Sequence, residues 1–429
     1  MQPGVSPEAV NAKTVALIAS GAVALGVALS GFVIREPAPY EIYMAGLIGV
    51  WALFGLRISR GTAPLLALLV TFNIGGALAM TQMADITGTP LYLMVSLFLG
   101  LTSVFYAAVL ERDPNLFRLI FLVWTLAATV TSALGILGYF NLVPGASLFT
   151  LYGRASGAFQ DPNVFGPYLV PPALFLLHTA LTGRLSRLPL IAFPLLVIMG
   201  GLFLSFSRGA WGLFAATAIL LTAALFLQSR SGRVRLRIVV MSLLGLLLLA
   251  LLVLVIVQLP GVADLLTTRA QLVQDYDGAR LGRFARYAIG FSLALEKPLG
   301  IGPLVFGQLY SEDTHNIWLK ALMDYGWLGF VSWLTLMLWT IVAGFRILFR
   351  DRPWQPYLLC AYVAFLGHLA LGSVIDIDHW RHFYLLLGMV WGAIALEYRR
   401  AHASRRRIPV DRPQASRYTG LGSERSAAR

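Results

Sequence analysis

The segment Glu312-Asp313-Thr314-His315-Asn316-Ile317-Trp318-Leu319 runs from a polar stretch straight into a long apolar one. It places a single histidine, His315, where a loop meets a membrane. Histidine suits general-base work near neutral pH, with an ordinary pKa of about 6.5. Nearby arginines would favour its neutral, base-competent form. A lone histidine is more often structural, so its meaning depends on its company. Lys320 and Asp324, one turn apart in the apolar stretch that follows, read as an intrahelical ion pair outside the site.

Three other polar segments supply that company. Ser207-Arg208-Gly209-Ala210-Trp211 is a tight connection between two apolar runs. Arginine costs about 2.5–3.5 kcal/mol at a membrane centre and less near an interface. On its own, Arg208 fits a snorkelling arginine beside an aromatic-belt tryptophan, while Gly209 would let a ligand approach the backbone. The segment 153–163 is punctuated by glycine. Asp161 and Asn163 around Pro162 suit a helix start, which leaves Arg154 unexplained. A third segment, 275–287, holds Arg280, Arg283 and Arg286. A helix after Gly278 would put Arg283 on one face with Arg286 and Tyr287. Arginines so spaced make a cationic surface suited to phosphate. An amphipathic helix resting on anionic headgroups fits the spacing equally well.

Two metal readings compete. Asp275-Tyr276-Asp277 has the D-x-D spacing of metal-using sugar transferases, and Asp376, Asp378, His379 and His382 could form an oxygen/nitrogen site. Both patterns are short and common by chance. Solvated acids and interfacial histidines account for them, so neither a metal nor a cofactor is expected. No phosphate loop, dinucleotide fingerprint or Ser-His-Asp signature is present.

The elements that must hold these segments are membrane helices. The chain has 429 residues, 58% hydrophobic and only 12% charged, about half the charged share of soluble domains. Apolar runs cover 14–34, 40–58, 63–81, 90–110, 117–138, 164–182, 188–206, 209–228, 238–258, 316–346, 355–375 and 382–398. The expected fold is an all-α polytopic membrane protein with about twelve transmembrane helices. The first run lacks a small-residue cleavage site and reads as a retained span. The one cysteine, Cys360, allows no intrachain disulfide. Residues 1–398 read as a single integral membrane domain and the Arg-rich 399–429 as a disordered basic tail.

The net charge of +13 is a topology signal rather than a nucleic-acid one. Arg57 and Arg60, Arg112 and Arg118, Arg184 and Arg187, Arg230 to Arg237, Arg346 to Arg352, and the tail arginines all fall on one side of the alternating spans. The positive-inside rule makes that side, and both termini, cytoplasmic, in a bacterial inner membrane. The other, periplasmic, face carries the connections 139–163 and 259–315, the latter being the main loop. It also carries Arg154, Arg208, Arg269, Arg280, Arg283 and Arg286, which oppose the topology signal and so call for another explanation.

His315-Asn316, then Leu319, then Gly326, resembles the H-[SN]-x2-L-x6-G pattern of the O-antigen ligase/polymerase family. Gly157-Ala158-Phe159 with Asp161-Pro162-Asn163 is similar to another of its elements. So is Phe206-Ser207-Arg208-Gly209, and so is Gly282-Arg283 with Tyr287 followed by Pro298-Leu299-Gly300-Ile301-Gly302. The matches run in family order over about 150–330. Tyr287 stands where the family often has tryptophan. The resemblance implies an all-helical glycosyltransferase, inverting and metal-independent. Its donor would be a polyprenyl-diphosphate-linked glycan and its acceptor lipid A-core, a growing polysaccharide or a protein; which of these remains open. It implies His315 as base, and Arg208 and Arg283 as stabilisers of the leaving diphosphate. Arg280, Arg154, Asn163 and Asn316 would bind substrate. A flippase of lipid-linked oligosaccharides is the rival, but transporters place polar groups near the midplane, often within repeats, and neither pattern is visible. A structural scaffold would leave the outer arginines unexplained.

Overall fold

A computed structural model describes residues 7–55, 57–258 and 282–406. In hydrocarbon every backbone N–H and C=O must find a partner within the protein, which an apolar run achieves as a helix. Among the described residues each of the twelve apolar runs is helical over most of its length. In order they fall in α1 (Pro7–Leu29), α2 (Pro39–Leu53), α3 (Ala63–Met80), α4 (Thr89–Arg112), α5 (Leu116–Tyr139), α6 (Pro162–Thr182), α7 (Leu188–Leu204), α8 (Arg208–Gln228) and α9 (Gly232–Val257). After the loop come two short helices, α10 (Arg283–Glu296) and α11 (Val305–Tyr310). The rest are α12 (Ile317–Asp324), α13 (Gly326–Leu348), α14 (Gln355–Leu371) and α15 (Arg381–Arg406). Among the described residues eight helices, α3 to α9 and α13, are long and apolar enough to cross a membrane, and α1 and α14 hold shorter apolar stretches. The chain is a mostly helical, multi-pass membrane protein.

Two expectations change. The single span expected over 316–346 is two helices, α12 and α13, broken at Tyr325-Gly326. The cause is a crossing strand of chain: Ile301 N donates to the Met323 carbonyl (2.8 Å) and Trp327 N to the Pro298 carbonyl (3.0 Å). Gly326 and Gly300 both adopt left-handed backbone, with φ of +64° and +91°. That conformation is costly for any residue with a Cβ. In addition, the basic tail begins as helix, since α15 continues to Arg406. There the Tyr398 ring lies on His402, and Arg400 sits 4.4 Å over Trp354. Residues beyond 406, and the loop residues 259–281 with Arg269, Asp275, Asp277 and Arg280, lie outside the described residues.

The core is built around α15, which lies along α4. Gly388 and Gly392 let the two backbones close: a Cβ on Gly388 would stand 2.6 Å from the Ser103 carbonyl oxygen, and one on Gly392 2.8 Å from Leu110 Cβ. Small residues four apart favour such close packing in lipid, where no hydrophobic force drives helices together. In the same way α13 leans on α3, with Gly75 against the Tyr325 carbonyl and the Gly329 nitrogen.

Several basic connections meet at one end of the bundle. Arg112 donates to the Gly55 carbonyl (3.1 Å), and Arg350 and Arg352 both reach Glu397. The opposite end carries His315, Arg208 and Arg154.

Candidate active site

Residues on both sides of His315 fix its place. Asn316 caps α12, its Oδ1 accepting from Trp318 N (3.0 Å) and Leu319 N (3.1 Å). Its Nδ2 donates to the Ser373 carbonyl at 3.1 Å, while Ile317 N donates to the Gly372 carbonyl at 2.8 Å. Trp318 Nε1 reaches Ser373 Oγ (3.1 Å), and Tyr287 of α10 donates to the Ser373 carbonyl (3.2 Å). The start of α12 is thus bolted to the α14–α15 connection. His315 itself takes left-handed backbone, φ +52°, an uncommon conformation that surrounding contacts must hold in place.

The outcome of that bolting is a pair the sequence reading missed. His315 Nδ1 lies 3.0 Å from Asp376 Oδ2, and the two side chains are 39% and 21% exposed. A carboxylate on Nδ1 favours the tautomer that carries its proton there and leaves the basic lone pair on Nε2. Nothing in the local sequence joins these residues, which stand 61 positions apart. The available signal was the acidic Asp376-Ile377-Asp378 mouth, read above as solvated.

Lys320 also departs from expectation. It is buried, and its ammonium lies 3.1 Å from Asp313 and 3.6 Å from Asp378, not paired along its helix with Asp324. The two carboxyl oxygens of Asp324 are buried without a hydrogen-bond partner. Asp378 also accepts from Tyr92 and lies 3.0 Å from His379 Nδ1. Burial works against its charge, yet Lys320 and His379 hold its carboxyl well below the usual carboxylate range. Asp376 and Asp378, weighed above as metal ligands, are therefore engaged with His315 and Lys320. His382 is buried with its ring stacked on Trp380.

Arg208 opens α8 behind the Ser207 N-cap, whose Oγ accepts from Ala210 N at 3.4 Å. Arg154 braces that turn from below. It opens the second strand of a tight hairpin, β1 (Thr150–Leu151) and β2 (Arg154–Ala155), turned by Tyr152-Gly153, both at positive φ. The buried Arg154 donates through Nε to the Ser205 carbonyl (2.7 Å) and through Nη2 to Asn163 Oδ1 (2.8 Å). Asn163 sits in the first turn of α6, where Asp161 accepts from its N–H at 2.7 Å. The 153–163 segment and the Ser205–Arg208 turn are thus one unit. That unit adjoins the histidine, because Gly209 packs on Leu371, the residue before the Gly372-Ser373 carbonyls.

Of the loop arginines, Arg283 is the first residue of α10, one turn before Tyr287. Arg286 is withdrawn from the expected cationic surface. It is buried and donates to Glu312 Oε2 (2.6 Å) and the Asp313 carbonyl (3.2 Å), fixing the segment that leads to His315. Arg280 lies outside the described residues. The bundle end therefore gathers Arg208, Arg154, Asn163, Asn316, His315 and the start of α10.

Residues 191–334 match the family model described as O-antigen ligase. Over that stretch, about a third of the chain, the protein is similar to O-antigen ligases. A search of curated proteins gave no match. The matched stretch holds Arg208, Arg283, His315, Asn316 and Lys320. Arg154 and Asn163 precede it, and Asp376 and Asp378 follow it. It supports a role of the ligase or polymerase type.

Proposed function

We propose that the protein is a membrane glycosyltransferase. It moves a glycan from a polyprenyl-diphosphate carrier to an acceptor hydroxyl of lipid A-core or a growing polysaccharide, at the periplasmic face of a bacterial inner membrane. The observation that carries this reading is the His315–Asp376 pair, at the same end of the bundle as the Arg208 turn, with His315 and Arg208 both inside the stretch similar to O-antigen ligases.

In this reading His315 Nε2 takes the acceptor hydroxyl proton, with Asp376 holding the ring and stabilising the imidazolium that forms. The acceptor oxygen bonds to the anomeric carbon as the bond from that carbon to the carrier diphosphate breaks. The electron pair leaves with the diphosphate, and attack from the opposite side inverts the anomeric centre. Arg208 and Arg283, with Arg280 in support, stabilise the departing charge, the task a metal performs in other transferases. Arg154 and Asn163 shape the donor side by fixing the turn that presents Arg208. Asn316 sets the direction of α12 beneath the base.

Purified protein given a polyprenyl-diphosphate glycan and acceptor, without nucleotide and with a chelator, should release polyprenyl diphosphate and form the glycosidic product. His315→Ala and Arg208→Ala should each slow transfer roughly a hundredfold, the equivalent of about 2–4 kcal/mol. Wild-type transfer by either folded variant would sink the assignment. Movement of the intact donor across vesicles with no bond cleavage would favour the flippase instead.

A further inference from the structure

The segment bearing His315 and the loop bearing Asp376 repeat one spacing: Asp313-x-His315 on one, Asp376-x-Asp378 on the other. His315 faces Asp376 across the gap at 3.0 Å. The other two members, Asp313 and Asp378, are carboxylates that would repel each other, and the ammonium of Lys320 sits between them at 3.1 and 3.6 Å. We propose that Lys320 is a positioning residue, a buried clamp joining the two segments so that the base and its orienting carboxylate stay in register.

The surroundings fit a clamp better than a substrate contact. The Lys320 side chain is 7% exposed, and its ammonium lies 5.4 Å over the Tyr92 ring. Tyr92 also donates to Asp378, which ties α4 into the same knot. Asp313 is held from its other side, since Thr314 N donates to its Oδ1 at 2.7 Å and Arg286 donates to its carbonyl. Without Lys320, the buried carboxylate of Asp378 and the partly buried one of Asp313 would face each other uncompensated, an arrangement that drives them apart or forces one to take a proton. Either outcome loosens the loop that carries Asp376.

The inference rests on the transfer reading only for what the pair does in catalysis, so its test has an arm that needs no substrate. The charged and titratable groups around the clamp are Asp313, Asp376, Asp378, His379, Tyr92 and Asp324. The pH midpoint for carbethoxylation of His315 by diethylpyrocarbonate, read by mass spectrometry, separates position from charge. Removing a nearby cation alone raises that midpoint, whereas losing contact with Asp376 lowers it. Lys320→Met should lower it by about half a pH unit or more. Lys320→Arg should keep the wild-type value. If Lys320→Met does not give a monodisperse protein, Lys320→Gln, neutral and too short to reach both carboxylates, takes its place and carries the same expectation. An unchanged or raised midpoint in the folded variant overturns the clamp.

In the transfer assay, Lys320→Met should lower kcat on the order of tenfold with the donor KM within about twofold, and Lys320→Arg should recover most of the loss. A wild-type protein that transfers nothing would count against the proposed function and leave the labelling arm to judge the clamp.

Discussion

Gly300 and Gly326 lie backbone to backbone where α12 gives way to α13. A Cβ on Gly300 would stand 2.9 Å from the Gly326 nitrogen and 2.6 Å from the Met323 carbonyl oxygen; one on Gly326 would stand 2.5 Å from the Leu299 carbonyl oxygen. Two sequence elements far apart in the chain, 298–302 and the glycine after Leu319, thus form a single joint. Gly300→Ala and Gly326→Ala should each lose at least about 1–2 kcal/mol from the left-handed backbone alone. The backbone overlap adds to that loss. Gly212→Ala, where nothing lies within 4 Å of the new carbon, is the control and should be neutral or slightly stabilising. Thermal melts of the detergent-solubilised protein decide this. Equal melting temperatures for all three would refute the joint.

Asp376 should matter through the tautomer of His315 and not through bulk. Asp376→Asn keeps the size but presents either an amide donor or a neutral acceptor to Nδ1. Transfer should fall by a factor on the order of a hundred or more, with the melting temperature little changed. Asp376→Glu should retain more activity than Asp376→Asn. The reverse order would count against the pair.

Arg154 is expected to act on stability and catalysis together. Its bonds to the Ser205 carbonyl and Asn163 use two in-plane donors, Nε and Nη2, of one rigid guanidinium, which a lysine ammonium cannot reproduce. Arg154→Ala and Arg154→Lys should both destabilise by about 2–4 kcal/mol and both slow transfer by displacing the turn that carries Arg208. Full activity in Arg154→Lys would mean that charge alone suffices.

The pH dependence of the Lys320 site has a definite sign. A carboxyl held below its ordinary value contributes stability that is present above the unfolded value of 3.8 and is lost as pH falls through the folded one. In the wild type, the Lys320–Asp378 link should therefore be constant from about pH 5 upward. In Lys320→Met, burial is no longer opposed by the ammonium, so the Asp378 carboxyl shifts upward. The stability deficit of that variant should be greatest above neutral pH and shrink toward pH 5, as measured by melts across that range. A deficit independent of pH would contradict the electrostatic account.

Asp324 gives the opposite expectation to its neighbour. Both of its carboxyl oxygens are buried with no hydrogen-bond donor, so replacing one of them by an amide breaks no bond seen there. Asp324→Asn should change stability by less than about 1 kcal/mol and transfer by less than about twofold. A large loss would show that its charge is used.

Much of the architecture was legible in the sequence because lipid leaves few choices. Each apolar run had to become a helix, and the basic loops had to alternate. The break at Tyr325-Gly326 was not legible, since Trp327, Leu328 and Phe330 resume the apolar run after Asp324 and the cause lies in the chain at 298–301. In the site, Arg208, His315 and Asn316 were readable as polar residues stranded at membrane mouths. Their partners were not. Asp376 meets His315, and Lys320 meets Asp313 and Asp378, only through the packing of α12 on the α14–α15 connection. Arg286 looked like a phosphate ligand from its spacing, but Glu312, distant in sequence, takes it up. Spacing shows which residues share a face, and only the fold shows what that face meets.

The histidine and its aspartate come from different helical hairpins, and the aspartate is delivered by the later one. During synthesis the arginine turn and the base would already be in the membrane before the α14–α15 hairpin threads in beside them. Until that insertion His315 has no carboxylate on Nδ1 and Lys320 has only one of its two carboxylates. Catalytic competence would then arrive in one step, with the insertion of the α14–α15 hairpin, instead of growing gradually as the chain emerges.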